Sequence, residues 1–113
     1  MEKIKVLIAD DHRVVREGLA AILKTKDDIN VVGEAQDGVE AVEKTKTLMP
    51  DVILMDVSMP RMGGIEATRQ IKREFPHMGI VALTMYEEQQ YIFDLVRAGA
   101  TGYLLKDSES SQI

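Results

Sequence analysis

Five short apolar runs, at 4–9, 29–35, 51–55, 79–84 and 101–105, alternate with segments of helical spacing. Runs this short and this rich in Val, Ile and Leu read as strands buried on both faces. Between the first two, Val15, Leu19, Ile22 and Leu23 recur at i, i+4, i+7 and i+8. Ile65, Thr68, Ile71 and Phe75 give a similar stripe, and Ile92, Leu95, Val96 and Gly99 give the last clear apolar face. Segment 38–48 is weaker, with Val39, Val42 and Leu48 as its expected anchors. Asp37-Gly38 begins that helix, Pro50 precedes the third strand, Gly63-Gly64 opens the third helix and Gly99 ends the fourth. Such alternation predicts an α/β fold: a doubly wound, five-stranded parallel sheet with right-handed crossovers and helices on both faces.

A chain of 113 residues makes one domain. No apolar run approaches the roughly 20 residues of a membrane helix. Without cysteine there is neither a disulfide framework nor a thiolate metal site, which is compatible with the cytoplasm. Lys and Arg total 14 against 19 Asp and Glu, a net charge of −5, with basic residues dispersed. That balance argues against direct nucleic-acid binding, where neutralising phosphate supplies much of the affinity.

Acid collects where strands end. The first run delivers Asp10-Asp11 and the third delivers Asp56, while the fourth ends at Thr84 and the fifth at Lys106. Open parallel sheets bind ligands beyond the carboxyl ends of their strands, at the topological switch point. With strand order 2-1-3-4-5, Asp10 and Asp11 face Asp56 across that crevice, and Thr84 and Lys106 flank it. Three carboxylates repel one another unless a divalent cation sits among them. Mg2+ suits the set, because it takes about six hard oxygen ligands and retains waters. Asp11 and Asp56 are the expected direct ligands, Asp10 acts through water, and the Ser58 backbone carbonyl supplies a further oxygen. No His or Cys is assigned to the cluster, which argues against zinc.

Such a pocket suits phosphoryl transfer, which asks for position and charge neutralisation. Asp56 is the in-line nucleophile, Lys106 and Mg2+ neutralise developing charge, and Thr84 donates a hydrogen bond to a phosphoryl oxygen. Taken singly, each residue has a plainer role. An Asp after a strand is usually a turn residue or a cap, and Asp11 alone could cap the first helix. The five together, at strand ends in chain order, carry the argument.

Ile8-Ala9-Asp10-Asp11-His12, the stretch from Pro50 through Met55-Asp56-Val57-Ser58-Met59-Pro60 to Gly63-Gly64, Ala82-Leu83-Thr84 and Gly99-Ala100-Thr101-Gly102-Tyr103-Leu104-Leu105-Lys106 together resemble the receiver domain of two-component response regulators. The likeness is to the NarL/FixJ type and covers essentially the whole chain. It implies a flavodoxin-like receiver fold of order 2-1-3-4-5. It also implies a sensor histidine kinase as phosphodonor, with weak self-phosphorylation and autophosphatase activity, in a cytoplasmic protein. Thr84 and Tyr103 become the switch pair, and Ser58 and Tyr86 tune dephosphorylation. The phosphorylated full-length protein forms a homodimer and reaches DNA only through a C-terminal domain absent from these residues, so as to regulate transcription.

Many receivers carry a cis proline after the lysine; here Asp107 follows Lys106, so no cis bond is assumed. Asp107-Ser108-Glu109 starts a last helix that stops within a turn, so a receiver spanning 1–113 and cut inside its fifth helix is expected. That helix is needed to cover strands one and five. Met59, Met62 and Met85 are expected in loops over the pocket, and Arg13 and Arg16 on a solvated helix face. His12 faces solvent or hydrogen-bonds locally. One competing reading is an interaction-only pseudo-receiver. Another is a Mg2+-dependent phosphatase with an aspartyl nucleophile, but such enzymes place a second acid two residues after the first, where this chain has Ser58. A nucleotide-binding fold is weaker, because Asp-Asp-His, not a glycine-rich loop, follows the first strand.

Overall fold

The computed structural model describes residues 3–84 and 97–105, with backbone alone at Thr84 and at 103–105. In chain order come β1 (Ile4–Ala9), α1 (Arg13–Lys24), β2 (Ile29–Ala35), α2 (Gly38–Leu48), β3 (Val52–Asp56), α3 (Gly64–Glu74), β4 (Gly79–Thr84) and β5 (Gly102–Leu105). The described strands form one parallel sheet ordered β2-β1-β3-β4-β5, as the doubly wound reading expects. Leu7, Ile53, Met55, Ile71 and Ile80 fill the core on the side where α2 and α3 pack. Val6, Ile8, Leu54 and Leu83 meet Leu19, Ala20 and Leu23 of α1 on the other side. Each fully buried side chain of this size contributes about 1.5–3 kcal/mol, and the strands carry such side chains on both faces.

Three strand edges differ from expectation by one residue, both ends of β3 and the start of β5. β3 starts at Val52, because Asp51 turns its carboxylate back to accept the Lys5 N–H at 2.8 Å; Asp56 is the last strand residue. β5 starts at Gly102, because the Thr101 hydroxyl donates to the Ile80 carbonyl (2.8 Å) and accepts the Ile80 N–H (3.1 Å).

The buried face of α2 includes two of its expected anchors, Val42 and Leu48, but small residues line its centre. Gly38, Ala41 and Thr45 are buried, while Val42 and Leu48 pack at its margin. The approach requires small residues: a Cβ on Gly38 would lie 2.2 Å from the Met62 carbonyl oxygen. Of the expected fourth helix, Arg97 and Ala98 are described and helical, and Gly99 follows with φ 115. Residues 85–96 and everything from Lys106 on, including the expected fifth helix and the Lys106–Asp107 bond, lie outside the described residues. On the α1 side, Val6, Leu54 and Val81 help line an apolar groove of about 240 Å³.

Candidate functional site

β1 and β3 are neighbours with Ala9 opposite Met55, so Asp10 and Asp56 reach the same level of the sheet edge. Both are fully buried. Asp10 is set by its backbone: its N–H donates to the Ala35 carbonyl at 3.0 Å. One carboxylate oxygen, Oδ1, accepts the His12 N–H at 2.8 Å, which turns the chain into α1. Asp11 follows with a more open side chain. It is not the cap of α1; His12 holds that position and makes no side-chain cap bond.

The His12 Nδ1 lies 3.2 Å from Asp10 Oδ1 and 3.1 Å from Asp11 Oδ1. A carboxylate offers acceptors only, so Nδ1 is the nitrogen that donates. One ligand atom from each of Asp10, Asp11, His12 and Asp56 lies within 4.8 Å of the others. His12 contacts the acidic pair, which corrects the expectation that no histidine belongs to the cluster.

Arg16 departs from its expected solvated position. Its side chain is only 15% exposed and pairs with Glu34 at 3.1 Å, and its Nη1 donates to the Asp10 carbonyl at 2.7 Å. Arg13 stays on the solvated face, paired with Glu17. Helical spacing did carry a signal for Arg16, one position after Val15 and three before Leu19, at the edge of the apolar stripe.

The other expected site residues fall around this edge. Asp56 pairs in register with Leu83, so Thr84, the last residue of β4, stands one step beyond it on the adjacent strand. Tyr103 lies on β5 opposite Ala82, and Leu105 lies opposite Thr84. Ser58 is exposed in the loop after β3. Met59 and Met62 of that loop pack against the core. Lys106, Tyr86 and Met85 lie outside the described residues.

The loop from Val57 to Gly63 is fixed at both ends. The Gly64 N–H donates to the Val57 carbonyl at 2.8 Å, and a Cβ on Gly64 would lie 1.9 Å from the Asp56 carbonyl oxygen. At the crest, the Gly38 N–H donates to the Met62 carbonyl at 2.9 Å, and Arg61 pairs with Asp37. Asp37 is the N-cap of α2. The Glu40 backbone N–H holds its carboxyl below the ordinary value of 3.8; burial opposes this, and Arg61 and the Val39 N–H reinforce it.

The carboxylate cluster suits a small hard cation. Ligands at about 2.1 Å in an octahedron stand roughly 3 Å apart when adjacent and 4 Å when opposite. The cluster's ligand atoms lie within 4.8 Å of one another, slightly wider than that span. Three of its four members offer carboxylate oxygen, the donor Mg2+ prefers.

The family model for the response regulator receiver domain matches residues 6–113. The chain is 49% identical over 110 residues to the transcriptional regulatory protein LiaR of Bacillus subtilis, covering 97% of this chain and 52% of that protein. It spans about half the length of the curated relatives it matches. Among solved structures, it is similar to the NarL signal receiver domain of Mycobacterium tuberculosis, with TM-score 0.92, 35% identity, and coverage of 98% of this chain and 90% of that one. The isolated receiver domain of RcsB from Salmonella enterica serovar Typhimurium, solved in the presence of the phosphomimetic BeF3−, has TM-score 0.87 and 31% identity. There 97% of this chain and 82% of that chain are covered.

Proposed function

The chain belongs to the response regulator receiver-domain family, of the NarL type, and from that premise we propose that it is a signalling switch phosphorylated on Asp56. One observation carries this reading: Asp10, Asp11 and Asp56 converge within 4.8 Å at the carboxyl edge of adjacent parallel strands.

Asp56 Oδ attacks the phosphorus of a phosphohistidine on a sensor histidine kinase. The new P–O bond replaces the P–N bond, and the departing imidazole takes its proton from solvent. No general base on this chain is needed, since a carboxylate nucleophile has no proton to give up on attack. Asp10, Asp11, Asp56 and the Ser58 carbonyl are the residues that would hold Mg2+. Bound there, Mg2+ supplies positive charge against the cluster and the incoming phosphoryl oxygens. Lys106 supplies a second positive charge, and Thr84 turns its hydroxyl toward a phosphoryl oxygen. Tyr103 follows into the space that Thr84 leaves, a two-state change driven by new charge-assisted bonds. Ser58 and Tyr86 flank the path of the hydrolysing water. Support for this reading comes from the register, which sets Thr84 one step beyond Asp56 on the adjacent strand.

The output is a phosphorylation-dependent homodimer in a cytoplasmic protein whose further domain binds DNA and regulates transcription. LiaR, a transcriptional regulatory protein, supports that direction. No described helix is long and apolar enough to cross a membrane.

The test is intact mass after incubation with Mg2+ and acetyl phosphate in a rapidly quenched time course, beside Asp56→Ala and a metal-free control. A gain of roughly 80 Da only in the unmutated, metal-loaded chain is expected. No adduct at any time point would remove the phosphoacceptor reading and leave an interaction-only module.

A further inference from the structure

The connection between β2 and α2 contributes no residue to the carboxylate cluster, yet both loops that build the cluster are tied to it. The Ala35 carbonyl accepts the Asp10 N–H at 3.0 Å, at the base of the acidic pair. Three residues on, the Gly38 N–H donates to the Met62 carbonyl at 2.9 Å, and the Asp37 carboxylate accepts from the Arg61 guanidinium, with Nε at 3.0 Å. Asp37 is only 4% exposed at its side chain, whereas that of Arg61 is 62% exposed.

Arg61 sits at a backbone position that needs an explanation. Its φ is 64, and the Met62 N–H closes onto the Pro60 carbonyl at 2.6 Å, making Arg61 the centre of a three-residue turn. A γ-turn with positive central φ is the rare and strained form. Among the described residues, one other non-glycine has positive φ: Met49, which terminates α2. No helix ends at Arg61. A strained turn persists when its surroundings over-determine it, and here the surroundings are Asp37 and Gly38.

We propose that Asp37 is a positioning residue for the phosphoacceptor site, holding Arg61 so that the loop after Asp56 can supply the Ser58 carbonyl to the cation site proposed above. Asp37 touches neither substrate nor cation. It acts through Arg61, three residues beyond Ser58, and the Gly38–Met62 bond fixes the same crest. Gly38 cannot be exchanged without moving that crest, since any Cβ there meets the Met62 carbonyl oxygen at 2.2 Å. The helix cap and the loop clamp share one carboxylate: Oδ1 accepts the Glu40 N–H at 2.8 Å and Oδ2 takes Arg61.

This inference rests on the proposed function, and two substitutions separate it from a purely structural role. Arg61→Gly removes the guanidinium while placing at φ 64 the residue that tolerates it best, so the fold is not penalised by strain. Asp37→Asn keeps a cap oxygen for Glu40 while removing the charge that holds Arg61. Arg69→Ala, which breaks the exposed Arg69–Glu66 pair on α3, serves as a control.

The measurements are Mg2+ affinity by calorimetry, thermal unfolding in EDTA, and the rate of phosphoryl uptake against acetyl phosphate concentration at saturating Mg2+. Arg61→Gly and Asp37→Asn should each weaken Mg2+ binding about tenfold, in the range found when residues supporting a metal ligand are removed. Arg61→Gly should lower the unfolding midpoint less than Asp37→Asn does, the double variant should be no worse than either single in Mg2+ affinity, and Arg61→Lys should recover part of the loss. Arg69→Ala should match the unmutated chain. Affinity within twofold of the unmutated chain in Arg61→Gly overturns the proposal, as does a loss of affinity across the variants that merely follows their midpoints, with Arg61→Gly losing less than Asp37→Asn in proportion. If the unmutated chain binds Mg2+ but gains no phosphoryl mass, the proposed function fails while the affinity comparison still decides the role of Asp37. If it binds no Mg2+, both fail.

Discussion

Gly64 shows how tightly single residues set the geometry at Asp56. The atoms that an added Cβ would meet are backbone: the Asp56 carbonyl oxygen at 1.9 Å, its carbon at 2.8 Å and the Val57 Cα at 3.1 Å. None of these can swing away as a side-chain tip would, so relief requires moving the loop or the helix start. Gly64→Ala should therefore destabilise the chain by about 2 kcal/mol or more, seen as a lowered urea midpoint with an unchanged denaturant slope. Gly18 provides the opposite case. It lies within α1, and an added Cβ would meet nothing within 4 Å. Gly18→Ala should raise stability by about 0.5–1 kcal/mol, the helical preference of Ala over Gly. If both substitutions shifted the midpoint the same way, the close approach at Gly64 would not be what fixes its identity.

At the scale of elements, α2 depends on one carboxylate for its cap and for its tie to the loop after β3. The Glu40 N–H is the largest cause of the depressed Asp37 pKa, and Arg61 adds to it. A folded-state value below the unfolded one makes ionised Asp37 a stabilising group above the unfolded value near 3.8. That contribution disappears as pH falls through the folded value, when the unfolded chain has already taken up its proton. The unmutated chain should thus exceed Asp37→Asn by about 1–2 kcal/mol above pH ~5, with the gap closing below pH ~4. Urea titrations across that range check it; a gap independent of pH would mean that shape, not charge, holds the helix start. The helix itself was legible in the sequence from Asp37-Gly38, but its buried face only in part. Hydrophobicity pointed to Val39, Val42 and Leu48, of which Val42 and Leu48 pack against the core, whereas close approach to Met62 selects Gly38, and Ala41 and Thr45 are the other buried residues. The Asp37–Arg61 pair was hidden for a different reason. Its members stand 24 residues apart and are ordinary polar types, so neither periodicity nor local spacing marks them. The bounds of β1, β2 and β4 were readable because continuous apolar runs end in turn residues. Those of β3 and β5 shifted by one because Asp51 and Thr101 spend their side chains on backbone groups across the sheet.

Across the whole molecule, two apolar layers sandwich the sheet and leave its carboxyl edge to gather charge. Legibility of the site follows from that architecture: parallel strands must bring their ends to one edge, so acids at the ends of β1 and β3 had to meet once the strands were neighbours. Burial is what the sequence could not supply. Asp10 and Asp56 are both fully buried within one cluster, in a chain of net charge −5. Like charges brought together in a desolvated setting oppose folding, and Lys106 and a bound cation are the groups proposed to offset that repulsion. Asp56→Asn relieves this and should raise the unfolding midpoint in EDTA. Mg2+ reverses the balance in the unmutated chain by binding the folded state, with a gain of about 2.7 kcal/mol at a hundredfold excess over its Kd. For a domain of this size that is a shift of roughly 10 °C. In Asp56→Asn the gain should be much smaller, so the two midpoints converge or cross as Mg2+ rises. Scanning calorimetry of both chains across a Mg2+ series makes the comparison. An Asp56→Asn midpoint below that of the unmutated chain in EDTA would show that mutual repulsion is not the dominant interaction of Asp56, whereas the expected crossing would tie stability at this edge to the cation.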